Sequence, residues 1–347
     1  MIRAITYNEI NRSEWGRLMR ESETGTWFQS AEAYELFASL PELFESFAVG
    51  VERVGDLTNE RTLCGVCVGY VTKEKNAVRQ YFTRRAIILG GPCLAEDATD
   101  EEVTALMQAV ISVAGNGVQG TGRPIYIETR NFNDYSRWKG AFAEAGFAYK
   151  PHLNFHVDCR DKEMMWERLS DNRKRQVKKV RGEKSEVRGE QAEELTEPEI
   201  REWYGILEKL YRTKVRTPLW PVEFFLEAYR QGVGIFRLVK HANRIIGGSM
   251  IVTDGKSVYE WFECGMNAEY KEQYPSVMAT WSGMMYAHEH GCARYDMMGA
   301  GEPDVPYGVR DFKSEFGGQM MEHGRFLCIC KPALYKIGCL GVRLLRG

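Results

Sequence analysis

The sequence predicts an α/β protein of two tandem units, each a mixed, mainly antiparallel sheet flanked by helices. Three observations carry that prediction. The chain has 347 residues, room for two cores at roughly 150 residues per domain. Strand-like and helix-like segments alternate, in an order that occurs twice. The pattern Phe142-Ala-Glu-Ala-Gly-Phe in the first half also has a counterpart, Phe312-Lys-Ser-Glu-Phe-Gly, in the second.

In the first half, 47–54 and 63–71 read as strands joined by a polar turn, and 85–92 as a third, ended by its glycines and Pro92. Asp100 to Val113 has Val103, Leu106, Met107 and Val110 at helical spacing behind Thr99, a suitable N-cap. A strand at 124–130, a helix from Tyr135 to Ala145 stopped by Gly146, and an extended run 147–157 follow. The second half repeats the order. Helices at 199–210 and 222–229 precede strands at 234–240, 245–253 and 257–264, then a helix 276–290 closed by Gly291. A strand at 294–298, a short helix 309–316 and a last strand 325–330 complete it. Meander strands first, then helix–strand–helix–strand, is the order of the N-acetyltransferase-like fold.

Composition narrows the function classes. Lys and Arg number 46 against 48 acids, a net charge of −2, so the surface as a whole does not suit a nucleic-acid coat, and DNA is not an expected partner. Nine cysteines without framework spacing point to a reducing compartment. No apolar segment reads as a signal peptide or a membrane span, so a cytoplasmic protein is expected. Cys64-Gly-Val-Cys67 lies inside a strand pattern and reads as core; His288 and His290, two apart on a helix, make a poor metal pair. No metal site is expected. Between the halves, Arg168 to Arg188 holds nine Lys/Arg against three acids. That run is either a solvated helix face or an anion site for phosphate or a nucleic-acid backbone. The tail from Lys331 mixes four cations with leucine, isoleucine and valine, as an amphipathic helix on anionic lipid would, though Gly338 and Gly341 weaken it.

Several segments together resemble the FemABX family of peptidoglycan aminoacyltransferases: Thr26-Trp-Phe-Gln-Ser, His152-Leu-Asn-Phe-His-Val-Asp, Leu169-Ser-Asp-Asn-Arg-Lys-Arg-Gln-Val-Lys-Lys, Pro221-Val-Glu-Phe-Phe, Gly247-Gly-Ser, Tyr295-Asp-Met-Met-Gly and Gly308-Val-Arg-Asp-Phe-Lys-Ser-Glu-Phe-Gly. They run along the chain in family order. The resemblance implies two N-acetyltransferase-like domains, 1–155 plus 325–347 and 156–324. It implies transfer of an aminoacyl group from aminoacyl-tRNA to an amine of a cell-wall precursor, with no cofactor and no covalent intermediate. It places Phe312 and Lys313 at the reacting centre, with Lys313 offering charge to the oxyanion. Beside the resemblance, Arg216, Lys214, Glu263 and Arg310 are the expected substrate contacts, and the basic run supplies Arg173, Lys174, Arg175, Lys178, Lys179 and Arg181 as the expected tRNA contacts. A lipid-linked precursor would bring the protein to the inner membrane face.

Departures concern the acceptor. No lysine follows Gln29-Ser30 before Lys73, and Trp220, Phe224 and Phe262 stand where relatives carry a basic residue or an aromatic hydroxyl. Glu260, Glu263 and Asp296, near strand ends, are the acid/base candidates. The alternative is an acyl-CoA-dependent transferase of the same fold acting on a surface polysaccharide. It would want a Gly-rich turn opening a helix, but 265–276 reads Gly-Met-Asn-Ala-Glu-Tyr-Lys-Glu-Gln-Tyr-Pro-Ser. A non-catalytic binding module is the third reading.

Overall fold

Side-chain caps and prolines in the sequence set many of the element boundaries. The computed structural model describes residues 1–55, 60–115, 122–181, 185–188, 195–215 and 218–346. In chain order it has β1 (Ile2–Thr6), α1 (Arg12–Glu21), α2 (Ala31–Ala38), β2 (Phe44–Val54), β3 (Arg61–Thr72), α3 (Ala77–Thr83), β4 (Ala86–Gly90), β5 (Cys93–Leu94), α4 (Asp100–Gly115), β6 (Tyr126–Asn131), α5 (Lys139–Glu144) and β7 (Ala148–Lys150). There follow β8 (Leu153–Asp158), α6 (Lys162–Glu167), α7 (Asp171–Arg181), β9 (Ser185–Arg188), α8 (Glu197–Leu210), α9 (Val222–Arg230), β10 (Ile235–His241), β11 (Arg244–Thr253), β12 (Ser257–Gly265), α10 (Pro275–Glu289), β13 (Arg294–Gly299), α11 (Gly308–Ser314), β14 (Gln319–Glu322), β15 (Arg325–Ile329) and α12 (Pro332–Arg346).

Asn11 caps α1 by accepting from the Ser13 and Glu14 amides, and Ser30 caps α2. Thr99 and Glu102 bond reciprocally at the start of α4, as do Thr196 and Glu199 at α8. Gly291 closes α10 at φ +71°, a conformation costly for residues with a Cβ. The single extended run expected at 147–157 is instead two strands in two different sheets, broken at Pro151, which has no N–H to continue a ladder.

The chain divides into two units, Met1–Pro151 with His323–Gly347, and His152–Glu322. The first sheet runs β1-β2-β3-β4-β6-β15-β7, with β5 on β3. The α4 stripe of Val103, Leu106, Met107 and Val110 is fully buried in its core. The second sheet runs β14-β8-β13-β12-β11-β10-β9. There α10 is buried from Pro275 to Ala287.

The two sheets share a pattern. Each has a meander, one parallel pair (β4 with β6, β12 with β13), an antiparallel strand beside it (β15, β8) and an edge strand (β7, β14). Strand β8 follows β7 in sequence but pairs in the second sheet; β15 follows β14 but pairs in the first.

Candidate active site

The two parallel pairs differ in how far they are closed. In the first unit β4 and β6 pair over all of Ala86–Gly90. Where β3 and β4 part, the buried side chain of Gln29 fills the gap. Its amide donates to Val68 O and Leu89 O, at 3.0 and 2.7 Å, and its Oε1 accepts from Val68 N at 2.8 Å. The Thr26-Trp-Phe-Gln-Ser segment is thus a structural plug.

In the second unit β12 and β13 pair only at Ser257–Tyr259 with Arg294–Asp296. Beyond Asp296, β13 passes through a left-handed residue, Met298 at φ +59°, and its pairing with β8 slips before Gly299. Lys313, from α11, occupies the opening. Its Nζ donates to Met297 O and, at 2.8 Å, to Gly299 O, carbonyls of the parted strand. It is only 9% exposed, so the surface lysine that a short helix would suggest is not what the fold builds.

A bulge brings acid groups to the same opening. Ile251 lies opposite Glu260 and Met250 opposite Phe262, so Trp261 is an extra residue on β12. One inserted residue reverses the strand's parity, putting Glu260 and Glu263 on one face although they are three apart. On that face Glu260 Oε1 accepts from Thr280 and Tyr295 hydroxyls, both at 2.8 Å. Trp261 and Phe262 pack with Trp220 and Phe224 on the other. Ser249 stands directly across from Glu263. Ser249 Oγ and Glu263 Oε1 are both buried without a hydrogen-bond partner among the described residues.

Burial dominates the electrostatics. It raises Glu263 to about 8, with repulsion from Glu260 adding to the effect and Ser276 and Lys313 opposing it. Burial likewise raises Glu260 and lowers Lys313, while attraction between the Lys313 charge and the carboxylates opposes these shifts without reversing them. Asp296 goes the other way. Its burial is outweighed by His156, whose Nε2 lies 3.1 Å away, by Arg294 and by the Met298 amide, so it stays a carboxylate. The opening therefore holds a cation, an acid that titrates near neutrality, and hydroxyls.

The other sequence-predicted residues scatter. Phe312 packs on the core beside Phe316, with the Arg173 guanidinium 4.7 Å from its ring centroid. Arg173 turns inward, 7% exposed, with Nε 3.4 Å from Glu315. Arg173, Val177 and Val180 form the buried stripe of α7, so this member of the expected tRNA-contact set does not share the outer side with the others. Lys174 donates to Glu167 O; Arg175, Lys178 and Lys179 are exposed on the outer side, Lys179 paired with Glu272. The Arg181 side chain and Arg216 lie outside the described residues. Lys214 is exposed in the turn after α8, and Arg310 clasps the 300–303 loop through Ala300, Pro303 and Glu302 carbonyls. Sequence reasoning missed Thr280, Tyr295 and Ser249. Gly247-Gly-Ser, Tyr295-Asp-Met-Met-Gly and the Phe312-Lys313 segment do converge here, so the family segments were the available signal.

The start of α10 is filled by protein. Asn267 donates to Ser276 Oγ at 2.7 Å and accepts from Ser276 N at 3.2 Å, and Pro275 sits in the first turn. A Cβ on Gly265 would lie 2.6 Å from Ser276 Oγ, so strand and helix start touch directly.

Two matching sheets with one parallel pair left open make a tandem N-acetyltransferase-like fold. Residues 236–340, spanning β11, β12, α10, β13 and α11 with the strands and helix that flank them, match the model of the FemAB family. The crystal structure of FemX is similar over 96% of this chain and 99% of its own, at 13% identity and a TM-score of 0.69. L-PGS from Bacillus licheniformis is similar over 96% of both chains, at 12% identity and a TM-score of 0.55. A tandem GNAT protein from the clavulanic acid biosynthesis pathway is similar over 95% of this chain and 99% of its own, at 9% identity and a TM-score of 0.56. No curated protein sequence matches the chain. The family match thus covers one segment of the chain, and the solved structures show a shared fold of two tandem GNAT-like units.

Proposed function

We propose that this protein is an aminoacyltransferase of cell-wall synthesis. It takes an aminoacyl group from aminoacyl-tRNA and passes it to an amine of a peptidoglycan precursor in the cytoplasm. The observation that carries the reading is the open β12–β13 pair, where buried Lys313 meets a buried carboxyl, Glu263, with a free oxygen. Acyl transfer from an ester needs a proton removed from the attacking amine and charge supplied to the carbonyl oxygen. Glu263 accepts the amine proton as nitrogen bonds to the ester carbon. Lys313, with two of its three N–H groups held by carbonyls, directs the third to the oxyanion. Collapse of that intermediate expels the ribose oxygen, which takes up a proton.

Two observations favour tRNA over acyl-CoA as donor. The start of α10, where a pyrophosphate would need free amides, is occupied by Asn267 and Pro275. The outer face of α7 presents Lys174, Arg175, Lys178 and Lys179. Domains 1–155 with 325–347, and 156–324, remain the proposed division, the second being catalytic.

The test offers the purified protein aminoacyl-tRNA labelled in the amino acid, or labelled acetyl-CoA, each with soluble and lipid-linked muropeptide precursors. Transfer from tRNA alone is expected, with binding that weakens steeply in salt. Transfer from acetyl-CoA, with salt-insensitive or absent tRNA binding, overturns the reading in favour of a CoA-dependent enzyme.

A further inference from the structure

We propose that α3 and α12 of the first unit form one docking surface for an anionic lipid bilayer. On α3, Val78, Tyr81 and Phe82 are 68, 53 and 55% exposed; on α12, Ile337 and Leu340 are each 59% exposed. Large apolar side chains this open, gathered on two helices, are unusual for a surface that meets only water. They are held firmly. Asn76 caps α3 through the Val78 and Arg79 amides, and the Tyr81 and Phe82 rings meet edge to face at 5.2 Å. Tyr335 packs on Tyr126 of β6 at 5.7 Å, fixing one side of α12 to the sheet and turning Ile337 and Leu340 outward. Lys331 Nζ lies 5.0 Å from the Tyr81 ring centroid and joins the two helices.

Charge selects the occupant. Val78–Phe82 and Lys331–Leu340 contain three cations, Arg79, Lys331 and Lys336, and no acid, in a chain whose acids outnumber its cations. A second copy would bring a like-charged face and repel it. A nucleic-acid backbone would use the cations but leave Ile337, Leu340 and Phe82 in water. An anionic bilayer interface satisfies both, with aromatic and aliphatic groups at the headgroup boundary and cations among the phosphates. No helix among the described residues is long and apolar enough to cross a membrane, so the mode is attachment in the interface. None of these residues lies in the second unit, so bilayer binding stands or falls separately from the transfer reaction.

The experiment is co-sedimentation of the full chain with phosphatidylcholine vesicles, with and without phosphatidylglycerol. Binding is expected only to the anionic vesicles, falling with salt and by roughly fivefold for each cation removed, as in K336Q. Phe82→Ser and Leu340→Ser should each abolish it while leaving the thermal melt and transfer to a soluble precursor unchanged. Failure of the unaltered protein to bind anionic vesicles overturns the proposal. So does equal binding to neutral vesicles, or dimerisation in analytical ultracentrifugation that the same two substitutions remove.

Discussion

Lys313 is the residue at which position and chemistry bear hardest on one another. From sequence it is one lysine of a short helix, and in α11 it falls in the last turn, where a cation suits the macrodipole. In the fold it is buried, and its ammonium is bonded to two carbonyls of a strand that has lost its parallel partner. Lys313→Met should therefore lower kcat by roughly 10²–10³ with little change in donor KM. It should also cost about 1–3 kcal/mol of stability, because two buried acceptors lose their donor. A mutant with full kcat and a lowered melting temperature would make the lysine a brace only. Glu263 gives a second outcome, with a definite sign. Its carboxyl titrates near 8 when folded, well above the ordinary 4.5. The protonated form is thus favoured in the folded state, and the stability it adds is present below about 4.5 and lost as pH rises to about 8. Activity runs the other way, since the base must be ionised, and kcat should climb with pH to a plateau above about 8. Glu263→Gln should flatten both profiles, checked by melts and initial rates across that range. A wild-type rate profile without that rise would remove Glu263 as the base.

At the scale of elements, α7 shows what the sequence held and what had to wait for the fold. Its basic run was plain, and Arg175, Lys178 and Lys179 are exposed on its outer side. Arg173 belongs to the same run but faces inward, between the Phe312 and Phe316 rings and beside Glu315. The clue was spacing: Arg173, Val177 and Val180 fall at i, i+4 and i+7, an inward stripe with a cation at its head. Element order and most strands were legible because apolar periodicity is local. The opening between β12 and β13 was not, because it depends on where pairing stops, and a one-residue bulge at Trp261 decides which face both glutamates share. Arg173 packs against Phe312 on the helix that carries Lys313, which makes it the proposed positioning residue for that lysine. Arg173→Gln should lower stability by an amount on the order of 2 kcal/mol, seen as a lower melting temperature, and reduce kcat while leaving the salt slope of tRNA binding unchanged. Arg175→Gln and Lys178→Gln should do the reverse, each reducing that slope by about one with the melt preserved. Filter binding across a salt series separates the two classes, and a flattened slope for Arg173→Gln would return it to the tRNA face.

At the scale of the whole molecule, each sheet contains a strand that the chain reaches only after passing through the other sheet's edge strand. The consequence is sharpest for β15, which lies between β6 and β7 and supplies the only ladder joining them among the described residues. Its Phe326, 1% exposed, stacks on Phe142 with ring centroids 3.9 Å apart, and its Arg325 bonds Glu128 at 2.8 Å. The Phe326 amide also bonds Thr129 Oγ1 at 3.0 Å. Removing residues 323–347 would strand the β6 edge and open the core under α5, although the sequence deleted lies far from that core along the chain. Loss of one buried phenylalanine alone costs about 3–5 kcal/mol, a large share of the stability a domain of this size has. The truncated chain should lose hydrogen-exchange protection in β6 and β7 first, while amides in β11 and β12, paired entirely within the second sheet, keep theirs. Phe326→Ala in the full chain should give a weaker form of the same pattern, which separates packing from chain length. Protection retained in β6 and β7 after truncation would show that the first sheet closes without β15, and that the returning strand is an addition to a unit already stable on its own.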